Sequence, residues 1–391
     1  MTQLPPDPAL QHLTDQVRAA AASGSPLCIR GGGSKDFYGV APQGQLLETL
    51  LLAGITSYEP SELVVTVRGG TPLAELEAAL AEKGQCLPFE PPHFQISTQG
   101  DTATVGGMVA AGLSGPARAS VGAVRDYMLG VQILNGRGEL LTFGGQVMKN
   151  VAGYDVSRLM AGSRGALGVI TEVSLKVLPV SPAEATLVFE LPQAVALAQL
   201  HRWGAKPLPL NASCWVRDDS DPARGARELL FVRLRGAVAA VDAACQSMTQ
   251  DQPGQRIDNA QAGPDWQACR DLRLPFFTVP PAPDAALWRL SVAQTAPVLD
   301  VPWPQLLEWH GGLRWLWAPV DAATRLRGVA QAAGGHATLF QPGRGTLSGT
   351  ENSIARFTPL KAPLDAIHQR LKAEFDPANI FNRARAASVG H

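Results

Sequence analysis

Three glycine-rich segments, each joined to an apolar run, constrain this chain more than any other feature. Arg30-Gly31-Gly32-Gly33-Ser34-Lys35 follows the apolar run 26–29. Ala103-Thr104-Val105-Gly106-Gly107 opens a second segment that continues in small residues to Gly112. The third runs from 149 to 155 and leads through Gly162-Ser163-Arg164-Gly165-Ala166-Leu167-Gly168 into Val169-Ile170-Thr171. Glycine allows the backbone to turn at positive φ and lets a ligand or another strand approach closely. Of the 39 glycines, 25 lie within the first 180 residues, whereas all eight tryptophans, Trp203 to Trp317, lie after residue 200. A chain of 391 residues suits two or three domains. The asymmetry predicts two with different tasks, residues 1–180 and 181–391, meeting where a strand pattern ends between Pro179 and Pro182.

Local patterns predict mixed α and β structure. A helix over 8–22 has Asp7 as its N-cap, Pro8 at its first position and Gly24 just beyond its end. A strand is expected over 63–67. A helix then starts at Thr71-Pro72, carries Leu73, Leu76 and Leu80 on one face, and stops at Gly84. Apolar runs 131–134 and 139–143 flank Asn135-Gly136, a hairpin signal. Val169, Val173, Leu175 and Val177 alternate with Ile170, Glu172, Ser174 and Lys176, which predicts a strand with one buried face. In the second half, strands over 187–191, 229–234, 287–292, 313–318 and 337–341 alternate with helical runs 237–248 and 322–333. That order predicts an α+β sheet with helices on one face. The proline-rich stretch 275–283 reads as an irregular surface loop.

Charge and cysteine usage narrow the function. Lys plus Arg (33) nearly balances Asp plus Glu (34), giving a formal charge of −1 with no basic run. Nucleic acid and anionic membrane surfaces are therefore poor partners. No stretch is long and apolar enough to span a bilayer, and the N-terminus lacks the basic and apolar regions of a secretory signal, so a cytoplasmic location is expected. The five cysteines (Cys28, Cys86, Cys214, Cys245, Cys269) are odd in number and lack C-x-x-C spacing, so they read as reduced core residues.

The glycine segments carry the chemistry. Around Gly31, Gly32 and Gly33, consecutive backbone N–H groups can converge on phosphate oxygens. Ser34 can add a donor there, and Arg30 or Lys35 can offset a diphosphate charge. The same residues could equally make a plain flexible turn. The segment is neither a Walker A loop nor a G-x-G-x-x-G dinucleotide loop. The small residues from Thr104 to Gly107 permit a flat ring to lie against backbone, or form a tightly packed helix start. None of the seven histidines falls in an H-x-H, H-x-x-x-H or H-E-x-x-H pattern, so no metal site is expected. His93 and His336 are acid–base candidates, against the alternatives of a hydrogen-bonded loop residue and a satisfied strand-edge histidine. Arg118, Arg125 and Arg344 could each grip a carboxylate or form a structural ion pair, and Asp126 is expected to pair locally.

Taken in order, R-G-G-G-S-K, P-F-E-P-P, T-V-G-G, R-D, K-N-V-A-G-Y-D and G-S-R-G-A-L-G-V-I-T-E resemble the FAD-binding domain of the vanillyl-alcohol oxidase and p-cresol methylhydroxylase superfamily. Within it, the chain is similar to the FAD-binding subunits of bacterial glycolate oxidase, also called glycolate dehydrogenase. The likeness continues through Gly311–Trp315, 335–339 and 375–382. It implies an α+β fold: a two-part FAD-binding domain followed by a smaller α+β domain with a largely antiparallel sheet, the last ~20 residues returning to the flavin. The resemblance further implies that Arg30, Gly31, Gly32, Gly33, Ser34 and Lys35 cradle the diphosphate. Pro88, Glu90, Thr104, Val105, Gly106 and Gly107 would run along flavin and ribityl chain, with Gly165 and Ile170 at the adenosine end and Asn382 at a C-terminal contact. Ser34 and Lys35 stand where several relatives have a flavin-linking histidine, so non-covalent FAD is expected. Arg164 stands where many relatives carry Glu, and Arg383-Ala384 where they often carry Pro-Gly. By resemblance the chain passes electrons from a 2-hydroxy acid, through flavin, to a larger homologous flavoprotein subunit and an iron–sulfur subunit, any membrane association being made through those partners. A self-sufficient flavin oxidoreductase and an assembly subunit with a vestigial flavin site remain the alternatives.

Overall fold

A computed structural model describes residues 7–41, 43–94, 103–145, 155–219, 225–343 and 354–383. It divides into two units, Met1–Leu113 with Ala123–Pro179 and Pro359–His391, and Ser114–Gly122 with Val180–Thr358. The chain thus crosses between units more often than one boundary near residue 180 would require. Ser114–Gly122 packs with the later residues, and the C-terminal segment packs with the first unit.

The first unit has two parts. In one, the helix Pro8–Ser23 covers a parallel pair of strands, Leu27–Arg30 and Gln45–Glu48. Its ends follow local chemistry: the Asp7 carboxylate accepts the Ala9 N–H at 2.9 Å, and Gly24 closes the helix at φ 68°. Leu13, Val17 and Ala20 bury one stripe of this helix against Leu27, Leu47 and Phe381. The other part is an antiparallel sheet ordered Ile55–Glu59, Val64–Arg68, Val169–Lys176, Met128–Leu134, Leu140–Gly144. On it packs the helix Leu73–Ala81, with Leu73, Leu76 and Leu80 fully buried. Leu63 stays outside its expected strand because it adopts a left-handed φ of 56°. The hairpin after Leu134 forms, but its positive φ falls at Gly138 (70°). Gly136 instead lets Asp376 approach, since a Cβ there would lie 2.6 Å from Asp376 Oδ1. Both faces of Val169–Lys176 are largely covered, contrary to the single buried face expected. The strand is central, and on its second face Ser174 and Thr66 pair hydroxyls at 2.9 Å.

The second unit is an eight-stranded sheet with every neighbour antiparallel. Its order is Gln255–Ile257, Ala183–Glu190, Arg227–Gly236, Leu210–Asp218, Gln305–Glu308, Leu313–Ala318, Ala286–Ser291, His336–Gln341. Leu210–Asp218, Gln255–Ile257 and Gln305–Glu308 were not legible as strands, because Asn, Ser and Gln interrupt their apolar alternation. One face is covered by the helices Gln193–Gly204, Val238–Asp251 and Ala323–Ala332. The expectation of helices on a single face fails at Asn259–Arg270. Its Trp266 donates to the Thr186 hydroxyl at 3.0 Å and receives Arg233 over its ring, so this helix lies on the opposite face. The expected surface loop holds for residues 279–283, which are irregular and mostly exposed, whereas Pro275–Thr278 is a helical turn whose Phe277 packs edge-on against Trp315 with centroids 5.4 Å apart.

His310 follows the strand Gln305–Glu308 in a left-handed turn, φ 53°. Its ring contacts the Ser213 hydroxyl at 3.0 Å through Nδ1 and the Ser120 hydroxyl at 2.9 Å through Nε2. Burial pushes its pKa down from 6.5 to about 4. The unfolded chain therefore takes up this proton at higher pH than the folded one, and stability falls as pH drops from 6.5 towards 4. The full effect is about 3 kcal/mol. Urea unfolding followed by tryptophan fluorescence should show this loss in the parent and not in His310→Asn, a substitution that tolerates left-handed backbone. Equal pH slopes would contradict it.

Candidate cofactor site

The site begins where the strand Leu27–Arg30 ends. The chain turns through Gly31–Lys35 with an Asp36 N–H donated to the Gly33 carbonyl at 3.0 Å, Gly33 itself taking φ 82°. At Gly31 the requirement is space, because a Cβ there would sit 2.4 Å from the Thr104 hydroxyl oxygen. Thr104 caps the helix Val105–Ala111, accepting the Gly107 N–H at 3.2 Å. Gly106 donates its N–H to the Gly69 carbonyl at 2.7 Å, and a Cβ there would crowd that oxygen to 2.8 Å. The second glycine segment is therefore a tightly packed helix start that also presents small residues to the cleft.

The third segment docks on that helix. Gly162 and Arg164 donate N–H bonds to the carbonyls of Val109 (2.9 Å) and Ala110 (2.8 Å). Gly165 turns at φ 73°, where a Cβ would approach the Asn382 amide nitrogen to 2.5 Å. Asn382 joins two walls: its Oδ1 accepts the Ile29 N–H at 2.9 Å, and its Nδ2 donates to the Arg164 carbonyl at 2.8 Å. Behind it, the buried Asp376 carboxylate accepts the N–H groups of Ile380 (3.0 Å) and Phe381 (2.8 Å) and pairs with Lys372. Lys372 also donates to the carbonyls of Ala166 and Phe381, both at 2.8 Å. Burial lowers its pKa, and the Asp376 carboxylate opposes that shift.

These walls line a cleft that is open to solvent, with about 730 Å³ of space between them, solvent at its mouth included. Of the residues expected at the cofactor, Arg30, Gly31, Gly32, Gly33, Ser34, Lys35, Thr104, Gly106, Gly107, Gly165, Ile170 and Asn382 line it. Pro88, Glu90 and Val105 do not. Val105 starts the helix with its side chain in the hydrophobic core, Pro88 is buried, and Glu90 sits at a left-handed φ of 49°. Ile29, Asp36, Tyr38, Thr49, Ala110, Ala111, Arg164 and Gly168 also line the cleft. Asp36 and Tyr38 were within reach of sequence reasoning, standing directly after the first glycine loop. The 149–154 part of the third segment and Arg344 lie outside the described residues.

The charge in the cleft differs from the simplest expectation. Arg30 is held by Asp36 at 2.7 Å, so its charge is already partly balanced. Lys35 is buried, 3.2 Å from the Ser34 hydroxyl and 5.6 Å over the Phe94 ring. Lys35 and Arg164 line the cleft as further cations that an anionic ligand would meet. A glycine cradle that a single Cβ would fill, with two cations on its walls, fits the diphosphate of FAD. The acid–base candidates lie elsewhere: His93 pairs with Glu77 at 2.9 Å and does not line the cleft, whereas Arg118 and His336 belong to the second unit. Asp126 pairs locally as expected, capping the Ala123 N–H at 2.8 Å. Among the described residues no group of three or more His, Cys, Asp or Glu is disposed to hold a metal.

Fold and cleft together define a FAD-binding flavoprotein of the p-cresol methylhydroxylase type, with a two-part FAD domain and a smaller antiparallel α+β domain. Residues 10–144 match the FAD binding domain family. The chain is 43% identical over 375 residues to glycolate oxidase subunit GlcE of Escherichia coli (strain K12), covering 96% of each, and it belongs to that subunit family. Glycolate oxidase subunit GlcD of Bacillus subtilis (strain 168) is 31% identical over 165 residues, 42% of this chain and 34% of that one. Among solved structures, alkyldihydroxyacetonephosphate synthase shares the fold at a TM-score of 0.63 and 16% identity, covering 95% of this chain and 75% of that one.

The crowding at Gly31 yields a test. Gly31→Val should abolish FAD binding, because its side chain would collide with Thr104 at the mouth of the cradle. All eight tryptophans lie in the second unit, so native tryptophan fluorescence would report that this unit still folds. Full flavin occupancy in the variant would show that the loop does not cradle the cofactor.

Proposed function

We propose that this chain is the FAD-carrying subunit of a multi-subunit glycolate dehydrogenase that oxidises glycolate to glyoxylate and sends the electrons on to partner subunits. The near-full-length 43% identity to a named glycolate oxidase subunit carries this reading, and the glycine-lined cleft supports it. The match to GlcD over part of a longer chain supports a larger homologous flavoprotein as one partner. An iron–sulfur subunit as the next electron carrier extends the same reading. Among the described residues no helix is long and apolar enough to cross a membrane. We place the complex in the cytoplasm, with any membrane contact made by its partners.

FAD supplies the acceptor for the hydride and its two electrons. The protein's part is to bind and orient it. Gly31, Gly32 and Gly33 bring backbone close to the diphosphate, Ser34 offers a hydroxyl, and Lys35 and Arg164 balance the phosphate charge. Asn382 fixes the spacing between the first and third walls.

What this cleft does not offer is a base for the substrate hydroxyl. Its single lining carboxylate among the described residues, Asp36, is held by Arg30, and no histidine or cysteine lines it there. Positioned acid–base assistance is worth about 10²–10⁴-fold. Glycolate added anaerobically to the isolated subunit should therefore bleach its flavin far more slowly than in the assembled complex, and mixing with the partners should restore the rate. Bleaching at the rate of the complex would make this chain the catalytic subunit on its own. The same lining predicts dissociable cofactor: acid precipitation should leave yellow FAD in the supernatant, and flavin retained in the pellet would contradict this.

A further inference from the structure

On the helix-covered face of the eight-stranded sheet, one side chain breaks the apolar pattern. Arg314, in the strand Leu313–Ala318, stands opposite Leu307 on one neighbouring strand and Leu290 on the other. Residues directly opposite share a face, so the arginine enters the layer in which those leucines pack. Leu307 belongs to the core under the helices Gln193–Gly204 and Val238–Asp251, and Leu290 to the core under Ala323–Ala332. Arg314 therefore sits at the seam between two apolar clusters, and it is fully buried, at 0 % exposure.

Its Nη2 donates to the Ala296 carbonyl at 3.1 Å. Of the five N–H donors of a guanidinium, the three on Nε and Nη1 have no hydrogen-bond partner here among the described residues. A Cβ at Gly311 would lie 3.5 Å from Arg314 Nη2 and 2.7 Å from Leu197 Cδ2, so the helix Gln193–Gly204 brings a methyl group close to the same place. Burial lowers the Arg314 pKa from 12.5 to about 10, and no charge among the described residues opposes or adds to that shift. The side chain is still a cation at pH 7.

Burying donors without partners is costly, and burying a charge without a counter-charge is costlier. An ordered water would satisfy N–H groups and leave the charge unbalanced. An anion answers both. We propose that Arg314 binds one small monovalent anion, of the size and charge of chloride, which accepts hydrogen bonds from Nε and Nη1. The surroundings set the class of ligand. One cation balances one charge, and the leucines around it offer no donor for the further oxygens of a carboxylate or phosphate. The ion would tie the two apolar clusters together at their seam. The site belongs wholly to the second unit and does not depend on the functional reading above. In the sequence Arg314 is one more arginine within an apolar strand; only register shows that it faces inward.

The test is urea unfolding of the FAD-loaded full chain, followed by tryptophan fluorescence, in mixtures of sodium chloride and sodium gluconate at one ionic strength. Gluconate is too large to enter the layer, so it controls for screening. In the parent, the folded-to-unfolded ratio should rise about tenfold for each tenfold increase in chloride once the site is filling, the mass-action slope for one ion. Arg314→Met keeps the length of the side chain and removes the charge, and it should unfold identically in both salts. No chloride response in the parent, or the same response in parent and variant, would overturn the proposal. Crystals of the parent grown in sodium bromide keep the idea testable should Arg314→Met fail to fold. An anomalous bromide peak within hydrogen-bond reach of Arg314 Nε or Nη1 would support the site, and a water there with no bromide would remove it.

Discussion

The Asp376 carboxylate holds together pieces of the first unit that are distant along the chain. Buried beneath the helix Leu364–Phe375, it takes two backbone N–H groups and the Lys372 ammonium, and Lys372 reaches on to the carbonyls of Ala166 and Phe381. A buried ion pair adds little net stability when it replaces apolar packing, but losing one partner leaves a charge stranded and costs about 3–5 kcal/mol. Here the pair also sets geometry. It fixes the segment that places Asn382 between Ile29 and Arg164, and so the width of the cleft that receives the cofactor.

The cleft is shaped chiefly by backbone meeting backbone. At Gly69 and Gly106 the chain approaches another stretch of backbone so closely that a Cβ would overlap it. Such walls are stiff, since no side chain can rotate out of the way, and they suit a cofactor that must be held in one orientation. The charged residues then adjust the field. Arg30 pairs with Asp36, and Lys35 and Arg164 line the same cleft. In the second unit two arginines, Arg118 and Arg289, stack on one tryptophan ring, that of Trp309.

Elements whose cause is local were legible in the residues themselves. Asp7 and Gly24 delimit the first helix because capping needs only a carboxylate and a left-handed glycine at the two ends. Leu73, Leu76 and Leu80 mark one face because the helical period places them there. The three glycine segments announced a ligand cleft for the same reason: missing side chains are visible in a sequence, and their order is specific to one family of FAD-binding folds.

Other features depended on what came to lie opposite. Pro88, Glu90 and Val105 stand in or beside the right motifs yet do not line the cleft, since a motif does not say which way each side chain points. The helix Asn259–Arg270 lies on the less expected face of its sheet because Trp266 finds Thr186 and Arg233 there. Asn382 meets Arg164 across 218 residues, and Arg118 and Arg289 meet on a tryptophan neither of them neighbours in sequence. The sequence by itself determined the segments that must turn, cap and pack, because those depend on the residue and its near neighbours. Only the tertiary structure decided which distant walls enclose the cleft and which cations share a ring, because those depend on strand register and on the surfaces that folding brings together.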